Sequence, residues 1–241
     1  MNPLLDLTAH PVIGHRGASG RAPENTREAL RLALSQGADA LEFDLRLSAD
    51  GIPVLMHDPT LDRTTRVTGP VGALSASDLQ ALGVPTLAEV LEEFRETNLL
   101  IELKTVEVAL PVRRILLEHA ATERVVLASF LDRALAPFRD GRFKVGASRQ
   151  GILALWLRSK LGIRAPGGPV SLYAVPDRYK ERVLVPTRRF VRSARHSGRP
   201  VHVWTVNDPD RAATLWSHGV SGIVTDYPAL IRAERDRLFA R

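Results

Sequence analysis

The sequence predicts an α/β fold, a closed parallel barrel of eight strands with a small insertion after the second. Three observations carry that expectation. Short apolar strand-like runs recur along the 241 residues, most of them followed by a helical pattern, which is how a parallel sheet covered by helices reads. No G-x-G-x-x-G follows the first strand, which counts against the main competitor, an open doubly wound sheet. A ninth run, 52–57, is separated from its predecessor by only the six residues 46–51. A parallel crossover needs a dozen or more, so this run must return antiparallel.

Taken in order, the strands are PVIGH (11–15), DALEFDL (39–45), NLLIEL (98–103), VVLASF (125–130), FKVGA (143–147), VSLYA (170–174), PVHVWTV (200–206) and SGIVTD (221–226). Between the first two, ENTREALRLALSQG has apolar positions near helical spacing, with Gly37 as its stop and Asn25 and Glu28 as a capping-box-like start. TLAEVLEEFRET (86–97) is a second helix behind Pro85, and ATLWSHG (213–219) is a third. GILALWLRSKLGIR (151–164) is cationic and amphipathic. It reads first as a barrel helix burying its apolar side, with weak membrane-surface association as the second reading. YAVPDRYKERVLVPTRRF (173–190) is expected to shape the pocket, with no role for a single residue. Residues 46–85 are rich in Thr, Ser, Gly and Pro and read as an insertion folded over one end. No linker interrupts the chain, so 1–241 is expected to form one domain.

Composition excludes several classes. Apolar residues at 44% and charged residues at 25% describe a globular chain rather than a disordered one. With no cysteine there are no disulfides, thiolate metal sites or cysteine nucleophiles, and a reducing cytosol suits the chain. The net charge of +6 is carried by arginines spread along the chain, and only 5% of residues are aromatic, so no nucleic-acid partner is expected. The opening MNPLLDLTAHPVIGHRG lacks a basic n-region and an apolar h-region, and no run nears the roughly 18 apolar residues of a membrane span. The expectation is a soluble, cytoplasmic protein; its oligomeric state stays open.

Asp50-Gly51 reads as a two-residue type I′ loop, which makes Ala49 face Ile52 and sets Asp44 opposite His57. Side chains alternate along a strand, so Glu42 and Asp44 share one face, and Leu100, Glu102 and Lys104 share another. The hairpin thereby delivers an imidazole beside two carboxylates. His15 and Arg16 stand where the first strand ends, the position at which such barrels carry their active residues. Three carboxylates aimed into one barrel mouth repel one another unless a cation joins them. The blander account, a salt bridge to an arginine or Lys104, would suffice for one carboxylate but not for three at strand ends. An all-oxygen set favours a hard divalent ion, Mg²⁺ or Ca²⁺. A cation with two histidines and an arginine suits phosphoryl transfer, one imidazole taking a proton from the nucleophile and the other giving one to the leaving group.

HRGASGRAPENT (15–26), EFDLRLSADGIPVLMHDPTLDRTT (42–65), PTLAEVL (85–91), IELK (101–104), VHVWTVN (201–207) and GIVTDYP (222–228) resemble the glycerophosphodiester phosphodiesterase family, in its order and from both ends of the chain. The resemblance implies a TIM (β/α)8 barrel that hydrolyses a small-molecule glycerophosphodiester to glycerol 3-phosphate and an alcohol. It implies Glu42, Asp44 and Glu102 as metal ligands, His15 and His57 as the acid–base pair, and Arg16 and Lys104 on the phosphate. It also implies that Trp204, on the face of His202, packs on the substrate's carbon skeleton. In the implied reaction the glycerol 2-hydroxyl attacks phosphorus and water opens the resulting cyclic phosphate, an intramolecular step that gains effective concentration. Glu24 and Asn25 are expected to orient the His15–Arg16 loop and cap the helix, Asp58 to set the His57 tautomer or make the turn before Pro59, and Asp226 to be structural. The alternatives are a phospholipase D-like enzyme acting on lipid headgroups and a non-catalytic barrel that binds phosphate or lipid.

Overall fold

The computed structural model describes residues 2–163, 168–179 and 183–240. Residue 164 of the amphipathic stretch and residues 180–182 of the 173–190 stretch lie outside the described residues. The chain runs through β1 (Val12–His15), α1 (Arg27–Ser35), β2 (Ala40–Leu47), β3 (Pro53–Leu55), α2 (Ala76–Ala81), α3 (Leu87–Glu93), β4 (Asn98–Leu103), α4 (Ala109–Glu118), β5 (Val125–Ala128) and α5 (Asp132–Leu135). It continues through β6 (Lys144–Gly146), α6 (Arg149–Lys160), β7 (Val170–Pro176), β8 (Arg178–Tyr179), β9 (Val183–Leu184), α7 (Arg188–Arg195), β10 (Val201–Trp204), α8 (Pro209–Ser217), β11 (Gly222–Thr225) and α9 (Pro228–Phe239).

The sheet runs β1-β11-β10-β7-β6-β5-β4-β2, and β1 also pairs with β2, which closes it into a barrel. Every pairing around the ring is parallel. Strands buried on both faces explain why the sequence shows continuous apolar runs rather than clean alternation. Outward side chains such as Phe43, Ile101 and Val203 pack under the helices, in two large clusters that divide the ring between them. Inward ones form a smaller cluster: Ile13, Ala40, Leu100, Val126, Leu172 and Val224. A 3₁₀ turn at Pro3–Leu5 closes the amino-terminal end of the barrel, with Leu4 fully buried in that inner cluster. Its carbonyl lies 2.8 Å from His202 Nε2, which satisfies one of the two nitrogens of a fully buried ring from the backbone.

Two local expectations are corrected. The β2–β3 register pairs Leu45 with Leu55 and Arg46 with Val54, so Asp44 faces Met56 rather than His57. The Met56 amide donates to the Asp44 carbonyl at 3.0 Å. The loop therefore has three residues, because the Ser48 amide donates to the Ile52 carbonyl and the Ser48 hydroxyl bonds Asp50 at 2.5 Å, holding the turn one residue wider. The N-cap of α1 is Thr26, whose hydroxyl accepts from the Ala29 amide. Asn25 instead takes a left-handed conformation and turns its side chain inward. The insertion builds its own small core from Val54, Met56, Leu61, Val71, Leu79 and Val84. It is stitched to α3 through a bridge between Val54 and Thr86, the latter capping that helix in a full capping box with Glu89. Among the described residues no helix is long and apolar enough to cross a membrane.

Candidate active site

Strand alternation builds the site from the core upward. Along each strand the residue two places beyond an inward apolar one points the same way, nearer the carboxyl end. Ile13 is thus followed by His15, Ala40 by Glu42 and Asp44, Leu100 by Glu102, and His202 by Trp204. The register aligns them, since His15 pairs with Glu42 and Asp44 with Glu102. After His15 the chain turns through Arg16 and Gly17 at positive φ, and a Cβ on Gly17 would lie 2.4 Å from the Ala29 backbone, so only glycine lets α1 pack this close.

His15, Arg16, Glu42, His57, Glu102, Lys104 and Trp204 line one pocket of about 90 Å³ at this end of the barrel. Asp44 sits just beneath, only 1% exposed. Oxygens of Glu42, Asp44 and Glu102 all lie within 4.8 Å of one another. Lys104 Nζ stands between two of the carboxylates, 3.2 Å from Asp44 and 2.9 Å from Glu102. Asp44 also receives a hydrogen bond from Asn25 Nδ2 at 3.1 Å and has Arg16 Nε at 3.1 Å. Glu42 accepts only from the Arg16 amide, at 3.0 Å, and makes no ion pair among the described residues.

The electrostatics follow. Burial, then the nearby Asp44 charge, pushes Glu42 up to about 8. Burial likewise raises Glu102, against the pull of Lys104. Burial also works against the charge on Asp44, but Lys104 and then Arg16 outweigh it and hold Asp44 below its ordinary value. One lysine therefore neutralises only part of the cluster, and Glu42, the carboxylate it does not touch, stays well above its ordinary value. An all-oxygen, partly uncompensated set of this kind fits a hard divalent ion.

Both histidines are held by aspartates. His15 Nδ1 lies 2.7 Å from Asp226 Oδ1, and His57 Nδ1 lies 2.6 Å from Asp58 Oδ1. Burial opposes ionisation of Asp226, yet bonds from His15, Ser19 and Asn207 bring it down to about 2. Arg63, then His57, brings Asp58 to about 2 as well. Both are thus ionised acceptors near neutrality, so each Nδ1 carries the proton and donates it, leaving Nε2 toward the pocket. Burial depresses His15, but the Asp226 bond and then Glu42 more than offset it and raise its pKa above the ordinary value.

All the residues expected at the site are brought together, and the structure adds others. Asp226, expected to be structural, is in contact with His15 because β11 lies beside β1 in the closed ring. Its position at a strand's carboxyl end was the signal available in the sequence. Arg63 is the other addition. It donates to Asp58 at 2.7 Å and, through two nitrogens at 2.7 Å, to Glu24. Glu24 in turn accepts from Arg16 at 2.9 Å. A chain from Arg16 through Glu24, Arg63 and Asp58 therefore ends on His57, tying the insertion to the first strand's loop.

Comparison with known proteins adds to this geometry. The family model described as the glycerophosphoryl diester phosphodiesterase family matches residues 15–141 and 164–230. The glycerophosphodiester phosphodiesterase of Caldanaerobacter subterraneus subsp. tengcongensis is 30% identical over 240 residues, covering 90% of this chain and 94% of its own. The crystal structure of a glycerophosphodiester phosphodiesterase from Thermotoga maritima superposes with a TM-score of 0.77 at 28% identity, covering 93% and 97% of the two chains. An Oleispira antarctica phosphodiesterase solved with the product sn-glycerol-3-phosphate superposes with a TM-score of 0.75 at 27% identity, covering 94% and 96%.

Proposed function

The chain belongs to the glycerophosphoryl diester phosphodiesterase family, and from that premise we propose that it hydrolyses glycerophosphodiesters to glycerol 3-phosphate and an alcohol by metal-dependent, two-histidine catalysis. One observation carries the reading: three carboxylates within 4.8 Å share a pocket with two imidazoles, each oriented by an ionised aspartate. The product bound in the Oleispira antarctica relative is of the same chemical class as the one proposed.

Glu42, Asp44 and Glu102 would hold Mg²⁺ or Ca²⁺, whose charge offsets negative charge gathering on the phosphoryl oxygens in the transition state. Arg16 and Lys104 would bind the phosphate oxygens, and Trp204 would lie against the glycerol carbons. One imidazole takes the proton of the glycerol 2-hydroxyl through Nε2 as that oxygen attacks phosphorus, and the other protonates the departing alcohol. When water opens the cyclic phosphate the two exchange roles. Asp226 and Asp58 keep each ring in the tautomer this requires.

The test is to supply purified protein with a panel of glycerophosphodiesters and measure glycerol 3-phosphate, with and without chelator. Release should stop on chelation and return with a divalent ion. Undiminished hydrolysis of a substrate whose 2-hydroxyl is methylated would overturn the intramolecular route.

A further inference from the structure

The two imidazoles are not held alike. His15 ends β1, which pairs with β11 on one side and β2 on the other, and its side chain is 16% exposed. His57 lies two residues beyond β3, a three-residue strand whose one strand partner among the described residues is β2, and its side chain is 34% exposed. A ladder of backbone bonds fixes side chains only where it runs, so His57 must be fixed by other means. Arg46, two places beyond Asp44 on the same face of β2, donates through Nε to the His57 carbonyl at 2.9 Å. Asp58 takes the ring Nδ1 proton, but it stands beside His57 on the same loop and needs an anchor of its own. Arg63 supplies one, donating through Nε to Asp58 Oδ2 at 2.7 Å. The same guanidinium sets Nη1 and Nη2 on the two Glu24 oxygens at 2.7 Å, and Glu24 also holds Arg16. All three nitrogens of one planar, permanently charged group are thus used on two carboxylates, a geometry that lysine cannot copy. The loop carrying Arg63 is itself pinned: Leu61 is buried in the insertion's core, and its carbonyl accepts from the Thr64 and Thr65 amides.

Resting on the phosphodiesterase reading above, we propose that Arg63 is a positioning residue for the reaction. Through Asp58 it sets the His57 ring, and through Glu24 it sets the Arg16 guanidinium, so one side chain of the insertion registers an acid–base group against the phosphate clamp. Without Arg63, His57 and Asp58 stay bonded to each other but turn together, and Nε2 leaves its line toward the reacting oxygen. A displacement of about 1 Å at a reacting group costs on the order of 100-fold in rate. Glu24 released from Arg63 still reaches Arg16, so phosphate binding suffers less than turnover.

The test measures glycerol 3-phosphate released from glycerophosphocholine by Arg63→Ala, Arg63→Lys and a control, Arg66→Ala, which removes an exposed arginine three positions on. Arg63→Ala should lower kcat by about 30-fold and raise KM by only about threefold. Arg63→Lys keeps the charge without the fork and should stay at least about fivefold below the unaltered protein in kcat. Arg66→Ala should leave both constants unchanged. Millimolar guanidinium, but not sodium, should return at least about a third of the kcat that Arg63→Ala loses, a recovery that an unfolded insertion would not show. The His57 Nδ1 proton should give a low-field proton resonance, assigned by its absence from His57→Gln, and Arg63→Ala should lose it. A kcat for Arg63→Ala within about twofold of the unaltered protein overturns the proposal, and so does a resonance that persists in that variant. A loss of kcat that guanidinium does not restore reduces Arg63 to a structural residue, which also overturns it. No release by the unaltered protein sinks the phosphodiesterase reading and this inference together.

Discussion

The two sides of the barrel mouth are built on opposite physical plans. On the side of β1, β2 and β4, polar side chains hold one another: Lys104 between Asp44 and Glu102, Asn25 on Asp44, and the Arg16–Glu24–Arg63–Asp58 chain behind His57. On the side of β5 and α6, Phe130, Leu153 and Trp156 face a groove that carries no such network among the described residues. Buried charges are bearable only when mutually paired, so the first side tolerates little change. Apolar walls are non-directional and can differ between relatives at small cost. The contrast teaches how the proposed chemistry is supported: it rests on the half whose polar side chains hold one another, while the half walled by apolar side chains offers contact without direction.

The largest effect that would break this contrast is expected at the rigid side. His57→Ala should lower kcat on glycerophosphocholine by about 1000-fold while glycerol 3-phosphate still binds, measured by steady-state kinetics and calorimetry. An equal loss of both would reduce His57 to a structural residue. Asp226→Asn should lower kcat by about 100-fold and also change the pH profile. Asp226 holds His15 above its ordinary value, so its loss moves the limb that reports His15 to lower pH. A profile that keeps its shape would separate Asp226 from the reaction.

A third measurement reaches beneath the open side. Burial drives His202 down to about 4 from an ordinary 6.5. Between those values the unfolded chain binds a proton that the folded chain refuses, so stability rises with pH through the window and is lost as pH falls from about 6.5 toward 4. The loss amounts to about 3 kcal/mol at most, readable by urea unfolding at pH 7 and 4. The smallest effect sharpens the comparison at the insertion: Thr86→Ala removes the side-chain cap of α3, next to the backbone bridge to Val54, and should cost about 1 kcal/mol with little change in kcat.

The sequence by itself determined the ring of strands, the faces on which Glu42, Asp44, Glu102 and Trp204 lie, and the antiparallel return that brings His57 back. Those follow from local rules: alternation in a strand, the reach of a short loop, and apolar runs that must be buried. Even within that reach the hairpin register came out one residue off, because the Ser48 and Asp50 side chains stabilise a wider turn than Asp50-Gly51 signals alone. Only the tertiary structure decided the partners. Asp226 meets His15 across 211 positions because the barrel closes β11 onto β1, and Arg63 reaches Glu24 across 39 because the insertion folds back over the mouth. Such pairings depend on how distant elements pack, and no local periodicity encodes that. The same holds for α6, which reads as burying its apolar side until packing leaves Leu153 in the open beside the pocket and Leu157 exposed on the same helix.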